Sequence, residues 1–217
     1  MDFDRIYRTT KNYFGESSNP LLEQYRAHID KSNRILDLGA GQGRNTLFLA
    51  RLGHGIDAVD PSQVAIETIS SAAAGEGLDV RTYHCDFEAF QPETDRYSAI
   101  LTLGLIQLLS WQSIEKLIEK IRAWTCAGSL VFVMAFTTAD PTFDRFKHSA
   151  DWAPAGRNSF RHPEEGYRTY LELGELLQLF AGWSVMHHQE DLGREHRHGD
   201  GRVACHVWAE GVFQRVE

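Results

Sequence analysis

Short apolar runs alternate along most of the chain with segments of helical spacing. Residues 34–38 form a compact, mainly apolar run that ends in glycines, residues 55–60, 97–103 and 130–136 repeat the form, and residues 79–85 read as a further strand. Continuous runs of this length predict strands covered on both faces rather than strands with one wet side. Between them, residues 20–29, 45–52 and 62–74 and the stretch holding Ile114, Leu117, Ile118 and Ile121 carry apolar residues three and four apart. That spacing predicts helices, with Ser62 as a cap and Gly53 and Gly128 as stops. Strand and helix in alternation predict a parallel sheet with helices on both faces.

The rhythm breaks at residues 137–170, where Pro141, Pro154, Gly156, Pro163 and Gly166 are interspersed with Phe143, Phe146, Trp152 and Phe160. A stretch this long without a period is either a lid or insertion loop or a locally packed excursion. Helical spacing returns over 171–180, and two closing strands are expected at 183–189 and 202–209, flanking a charged turn at 191–201. Residues 1–217 therefore read as one domain, with 1–32 as an N-terminal cap segment.

Composition narrows the partners. The 217 residues carry a net charge of −8 and are 42% hydrophobic, enough for one sizeable core. The negative field repels a phosphate backbone, so a small-molecule substrate is expected and nucleic acid is not. Cys85, Cys126 and Cys205 are odd in number and far apart, without the spacing of a zinc or redox site, and read as reduced thiols of a cytoplasmic protein. No charged-then-apolar leader and no membrane-length apolar run is present. His187, His188, His196, His198 and His206 invite a metal reading. Alternation along a strand, however, sends His187 and His188 to opposite faces, so no metal is expected.

Chemistry enters where the first strand meets its helix. Asp37-Leu38-Gly39-Ala40-Gly41-Gln42-Gly43 lets the backbone turn tightly and lets a ligand approach its amides, and the following helix points unpaired N–H groups at any bound anion. The spacing is GxGxG, whereas the dinucleotide fingerprint is GxGxxG. Asp60, followed by Pro61, lies 21 residues after Gly39 at the end of the second strand, where a carboxylate reaches both hydroxyls of a ribose. Asp86, at the end of the third strand, can accept from an adenine amino group. Taken singly, Asp86 reads as a cap and Phe87 as a core aromatic.

Together, residues 35–87 resemble the class I S-adenosylmethionine-dependent methyltransferases. The resemblance implies a Rossmann-like seven-stranded sheet of order 3-2-1-4-5-7-6 with its last strand antiparallel. It also implies S-adenosylmethionine as cofactor, held by Asp37, Gly39, Ala40, Gly41, Gly43, Asp60, Pro61, Asp86, Phe87 and Leu103. After the fourth strand, residues 103–107 carry no Asn/Asp-Pro-Pro-aromatic motif, which argues against methylation of bases or proteins, and Gln107 is a contact candidate.

Gly41-Gln42-Gly43-Arg44-Asn45, Tyr13-Phe14-Gly15 and Gly193-Arg194-Glu195-His196-Arg197, with Arg202 downstream, are similar to segments of the tellurite-resistance methyltransferases of the TehB type. That likeness implies Arg44, His196, Arg197 and Arg202 as catalytic groups at the mouth of the site, gripping a chalcogen oxyanion such as tellurite or selenite, a thiol or a small carboxylate. The turn between Arg197 and Arg202 is shorter than in that group, and the 137–170 segment is longer. Two other functions compete: a protein that binds S-adenosylmethionine without catalysis, since no catalytic base is evident, and a nicotinamide-dependent oxidoreductase, which the glycine spacing disfavours.

Overall fold

The computed structural model describes residues 2–92, 96–193, 196–197, 199–201 and 203–216, with the side chains of Asp191, Leu192, His196, Arg197 and Ala204 outside the description. The chain begins with α1 (Phe3–Thr9) and α2 (Pro20–Tyr25). It then alternates β1 (Ile35–Leu38), α3 (Arg44–Arg51), β2 (Ile56–Asp60), α4 (Gln63–Glu76), β3 (Val80–His84), β4 (Tyr97–Leu103), α5 (Trp111–Trp124) and β5 (Thr125–Phe136). Next come α6 (Pro141–Lys147), three short strands β6 (Ala153–Pro154), β7 (Ser159–His162) and β8 (Gly166–Thr169), and α7 (Glu175–Leu179). The chain closes with β9 (Ser184–Leu192), β10 (His196–Arg197), β11 (Val203–Ala204) and β12 (Val207–Gln214).

Seven strands form one sheet in the order β3-β2-β1-β4-β5-β12-β9, and β12 alone runs antiparallel to its neighbours. Counted within the sheet this is the expected 3-2-1-4-5-7-6. Every residue of β1 and β2 is buried, because helices cover both faces. On one face α5 lays Ile114, Leu117, Ile118 and Ile121 against Leu36, Val131 and Val133. On the other, Leu21 and Leu22 of α2 and Leu49 of α3 pack on Ile35, Leu130 and Phe132. Each such fully buried aliphatic side chain stabilises by about 1.5–3 kcal/mol relative to exposure. Ser62 and Ser110 cap α4 and α5, accepting from the amides of Ala65 and Ser113.

Parallel pairing brings the strand ends to a common edge. Leu38 is level with Val59, and Asp60 with His84, so Asp60 stands one residue beyond the end of β1, beside the glycine turn. On the other side of β1, Leu103 at the end of β4 pairs with Met134 of the neighbouring β5.

Several expected boundaries shift. The last strand lies at Val207–Gln214 rather than 202–209, because its pairing with β5 and β9 runs on to Gln214 past Gly211, where a Cβ would come within 2.6 Å of the Phe213 ring. Only Glu175–Leu179 of the expected 171–180 helix is helical, starting after Gly174 in the left-handed region. β5 starts at Thr125, directly after α5. Residues 137–170 are a packed excursion: β6, β7 and β8 form an antiparallel sheet, and Phe146, Trp152, Phe160 and Tyr170 share a cluster with Phe136 and Phe143. No helix among the described residues is long and apolar enough to cross a membrane.

Candidate functional site

The turn after β1 is held in shape by backbone and side chain alike. The amides of Gly39 and Ala40 both donate to the Val59 carbonyl of β2, at 2.9 and 3.2 Å. Gly39, Gly41 and Gly43 have φ of +73°, +54° and +86°, which L side chains rarely adopt. Space also excludes a side chain at Gly43, where a Cβ would fall 2.6 Å from Ile69 Cγ1, and tightens at Gly41, where it would meet Tyr7 Oη at 3.2 Å.

Two buried carboxylates flank this turn. Asp60 Oδ2 accepts from the Gly41 amide at 2.8 Å and Oδ1 from the Ser62 amide at 2.8 Å. Burial pushes its pKa upward in spite of those bonds. Asp37 accepts from Thr46 Oγ1 at 2.6 Å, and burial, joined by the charge of Asp60, lifts its pKa to about 6. Arg44 offsets part of the Asp37 charge. The pair is therefore maintained at an electrostatic cost, and a cation placed beside the turn would lower that cost.

The other strand-end residues divide. Pro61 continues from Asp60, and its carbonyl accepts from His84 Nε2 at 3.0 Å. Asp86 is exposed just beyond β3, with Oδ1 accepting from the Ala89 amide. Phe87 turns inward and joins the α5-side core. Leu103 is half-buried at the end of β4, next to Gly104 at φ +94°. Gln107 is buried in the following 3-10 turn, and its Oε1 has no hydrogen-bond partner. Asp37, Gly39, Ala40, Gly41, Gly43, Asp60, Pro61, Asp86 and Leu103 thus share the carboxyl edge of the sheet, whereas Phe87 is core.

The side chains following the glycines hold the N-terminal segment. Gln42 Oε1 accepts from the Tyr13 amide at 2.7 Å and Nε2 donates to the Thr10 carbonyl at 3.0 Å. Arg44 Nη1 donates to the carbonyls of Phe14 and Ser17 at 2.8 and 3.4 Å, and Asn45 Oδ1 accepts from the Asn19 amide at 2.9 Å. Burial lowers the Arg44 pKa, against the pull of Asp37. Farther up, Asp4 accepts from Ser62 Oγ at 2.5 Å, and Tyr7 and Tyr13 pack with Ala65. Residues 3–19 are therefore strapped to the glycine turn and to the start of α4. Gln42 and Asn45 carried a signal for this, being polar residues between a buried strand and an apolar helix face.

Of the other expected cationic groups, His196 and Arg197 have backbone in β10, which pairs with β11, and their side chains lie outside the description. Arg202 lies outside the described residues altogether, as do Arg194, Glu195 and His198. The arm that carries β10 and β11 reaches the strap: the Gly199 amide donates to the Tyr13 carbonyl at 2.9 Å.

Sequence reasoning missed one cluster at the far side of this edge. His206 Nδ1 lies 2.8 Å from Asp140 Oδ2, and the Val207 amide donates to the same oxygen at 2.9 Å. The Thr142 amide and hydroxyl donate to Oδ1, and the hydroxyl also meets Tyr170 Oη at 2.7 Å. Burial works to raise the Asp140 pKa, yet the His206, Thr142 and Val207 bonds prevail and hold it below the usual carboxylate range. The imidazole stacks on Phe136, with ring centroids 4.3 Å apart.

No group of three or more metal-ligating side chains is found among the described residues, where His187 pairs with Glu210 and His188 with Glu190. A cleft of about 370 Å³ lined by Arg122, Gly182, Trp183, Arg215 and Val216 lies at the opposite edge, away from these groups.

Residues 35–128 match a methyltransferase domain. Hemagglutinin 1 of Eikenella corrodens is 30% identical over 165 residues, covering 75% of this chain and 48% of that protein. The probable S-adenosyl-L-methionine-dependent methyltransferase TehB of Haemophilus influenzae is 22% identical over 171 residues, covering 79% of this chain and 53% of its own length. The chain thus spans about half the length of these curated relatives. The crystal structure of the Haemophilus influenzae TehB superposes with a TM-score of 0.70 at 19% identity, over 98% of this chain and 67% of that one.

Proposed function

We propose that the chain is a class I S-adenosylmethionine-dependent methyltransferase that transfers a methyl group to a small-molecule acceptor, a reading supported by the methyltransferase-domain match over residues 35–128 and by the fold shared with TehB. The observation that carries this reading is the pair of buried carboxylates beside a turn that excludes side chains. Asp37 and Asp60 are held ionised at a cost, and S-adenosylmethionine brings an ammonium and a sulfonium, both cationic. Donor set and charge fit this cofactor. Asp60 holds the ribose, exchanging the Gly41 amide for sugar hydroxyls. Gly39, Ala40, Gly41 and Gly43, with Asp37 behind them, receive the methionyl end, and Pro61, Asp86 and Leu103 border the adenosyl group. When bound, the cofactor supplies an electrophilic methyl carbon on a good leaving group.

The rest is the work of this chain. The strap of residues 3–19 covers the turn, and the packed 137–170 excursion walls the acceptor side, so both exclude water from the reacting groups. An in-line displacement at carbon depends chiefly on placement, which rigid strand ends provide. Arg197 and Arg202, with His196, are candidates to grip an acidic acceptor. Arg44 anchors the strap and acts on the site through it. A chalcogen oxyanion such as tellurite or selenite, a thiol or a small carboxylate are the acceptor classes that such cations suit.

Calorimetric titration tests the cofactor half. Asp60→Ala is expected to weaken S-adenosylmethionine at least about tenfold, the scale of one charge-assisted hydrogen bond. Asp60→Asn, which keeps an acceptor for the Gly41 amide, separates loss of the ribose contact from collapse of the turn. Unchanged affinity in both variants would remove the support for this reading. Release of S-adenosylhomocysteine with any thiol, oxyanion or small carboxylate excludes a purely binding role.

A further inference from the structure

We propose that Gln107 recognises the methyl acceptor, and that the acceptor therefore carries, besides its nucleophilic atom, a neutral group that both donates and accepts hydrogen bonds: a hydroxyl or a carboxamide. The inference rests on the methyl-transfer reading and narrows its acceptor class.

Position follows from the loop after β4. The Gly104 amide donates to the Met134 carbonyl at 3.0 Å, which fixes the start of the loop to β5. Leu105 then meets the glycine turn, its Cδ1 lying 3.5 Å from where a Cβ on Gly39 would be. Ile106 drops into the α5-side core. Gln107 comes next, in the 3-10 turn Ile106–Leu108, which packs against β5 and against β8 of the 137–170 excursion. Thr169 of β8 donates through Oγ1 to the Leu109 carbonyl and holds the excursion there. Gln107 thus stands two residues beyond the contact with the cofactor turn, between that turn and the wall of the acceptor side.

The bonding of its amide carries the argument further. Gln107 is 8% exposed, and its Oε1 is buried with no hydrogen-bond partner. Nε2 lies 3.3 Å from where a Cβ on Gly104 would be, and it bonds to none of the described residues. The turn closes without this amide: the Leu108 amide donates to the Leu105 carbonyl at 2.9 Å, and the Leu109 amide to the Ile106 carbonyl at 3.1 Å. Buried polar groups are nearly always hydrogen-bonded, and an unbonded one is costly, so a glutamine where leucine would pack as well points to a ligand. Two further buried side chains at these strand ends are short of partners among the described residues. Thr137 Oγ1, just past β5, has none, and Asn19 Nδ2 has the weakly accepting sulfur of Met134 at 3.9 Å. A carboxamide is matched by a group that gives a donor to Oε1 and an acceptor to Nε2. Hydroxyls and carboxamides do both, whereas a bare thiolate or carboxylate only accepts and leaves Oε1 unbonded. Gln107 is accordingly a specificity residue: it touches the acceptor and moves no proton.

The test reads binding and needs no turnover. The S-adenosylhomocysteine complex is titrated by calorimetry with thiophenols that carry a hydroxyl, a carboxamide or a methyl group ortho, meta or para to sulfur. The wild-type protein is expected to bind one or more of the hydroxyl or carboxamide isomers about tenfold more tightly than the methyl counterpart. Gln107→Leu is expected to abolish that preference while keeping the affinities for the methyl compounds and for S-adenosylhomocysteine within about threefold. Because it removes a buried unbonded amide, the same variant is expected to raise the denaturation midpoint of the cofactor-free protein. Gln107→Met is measured in parallel, so that a disturbance peculiar to leucine does not decide the outcome. No preference in the wild-type protein for any isomer overturns the inference and leaves methyl transfer intact. So does an equal loss for all three substituents, a preference that survives in both variants, or a lowered midpoint in both, which marks a glutamine bonded within the fold. A wild-type protein that binds no S-adenosylhomocysteine overturns the methyl-transfer reading and this inference with it.

Discussion

Asp60 stands one residue past the level of Leu38 on the strand beside Asp37, and its charge raises the proton affinity of Asp37. Asp37 binds its proton with a pKa of about 6 when folded, against 3.8 as the ordinary value. The folded chain thus takes up this proton before the unfolded chain does. Its contribution to stability is greatest below about pH 4 and declines as pH rises to about 6, by about 3 kcal/mol for a shift of about two units. Urea unfolding of the cofactor-free protein across this window should reveal the decline. Asp37→Asn should flatten it, with a net gain of about 1–3 kcal/mol at neutral pH. The same variant should bind S-adenosylmethionine more weakly, since the charge that burdens the empty turn is the one that favours a cation.

Gly43→Ala meets two obstacles at once, a left-handed backbone and Ile69 Cγ1 at 2.6 Å. A loss of about 2–4 kcal/mol is expected from strain and overpacking together. Gly77→Ala, at φ +67° with open space around it, isolates the backbone part and should cost only about 1 kcal/mol. Denaturant midpoints of the two variants check the difference; equal losses would show that Ile69 yields without cost.

Removing Gln42 frees the Tyr13 amide and the Thr10 carbonyl together. Gln42→Ala should destabilise by about 1–2 kcal/mol. Hydrogen exchange should rise over residues 3–19 while the strands of the sheet stay protected. Exchange unchanged over the strap would mean that Arg44 and Asn45 hold it without Gln42.

Tyr97 Oη donates to Asp57 Oδ2 at 2.8 Å, and Asp57, fully buried, also pairs with Arg34 Nε at 2.6 Å. This network lies at the amino ends of the strands, away from the site. Tyr97→Phe should cost about 1–3 kcal/mol by leaving Asp57 short of a donor, with cofactor affinity unchanged. Chemical denaturation and calorimetry on the same preparation separate the two effects.

Much of this molecule is legible in its sequence because the responsible forces are local. Residues 34–38 and 55–60 read as buried strands because Ile35, Leu36 and Leu38 dominate one and Ile56, Ala58 and Val59 the other, and the glycines between β1 and α3 declare the turn. Legibility fails where a distant partner decides. Residues 202–209 read as the last strand, yet β12 runs through Gly211 to Gln214 because β5 and β9 pair with it on both sides. Trp152 and Phe160 read as part of an irregular loop because their cluster draws on Phe146 and Tyr170 across turns. Asp140 and His206 are 66 residues apart, and only the pairing of β5 with β12 brings them together.

The bond between Gly199 and Tyr13 also orders events in time. Synthesis delivers the glycine turn and its strap well before Gly199 emerges, so the link to the strap forms later than the parts it joins. A nascent chain stopped short of Gly199 carries the turn and the strap without that link.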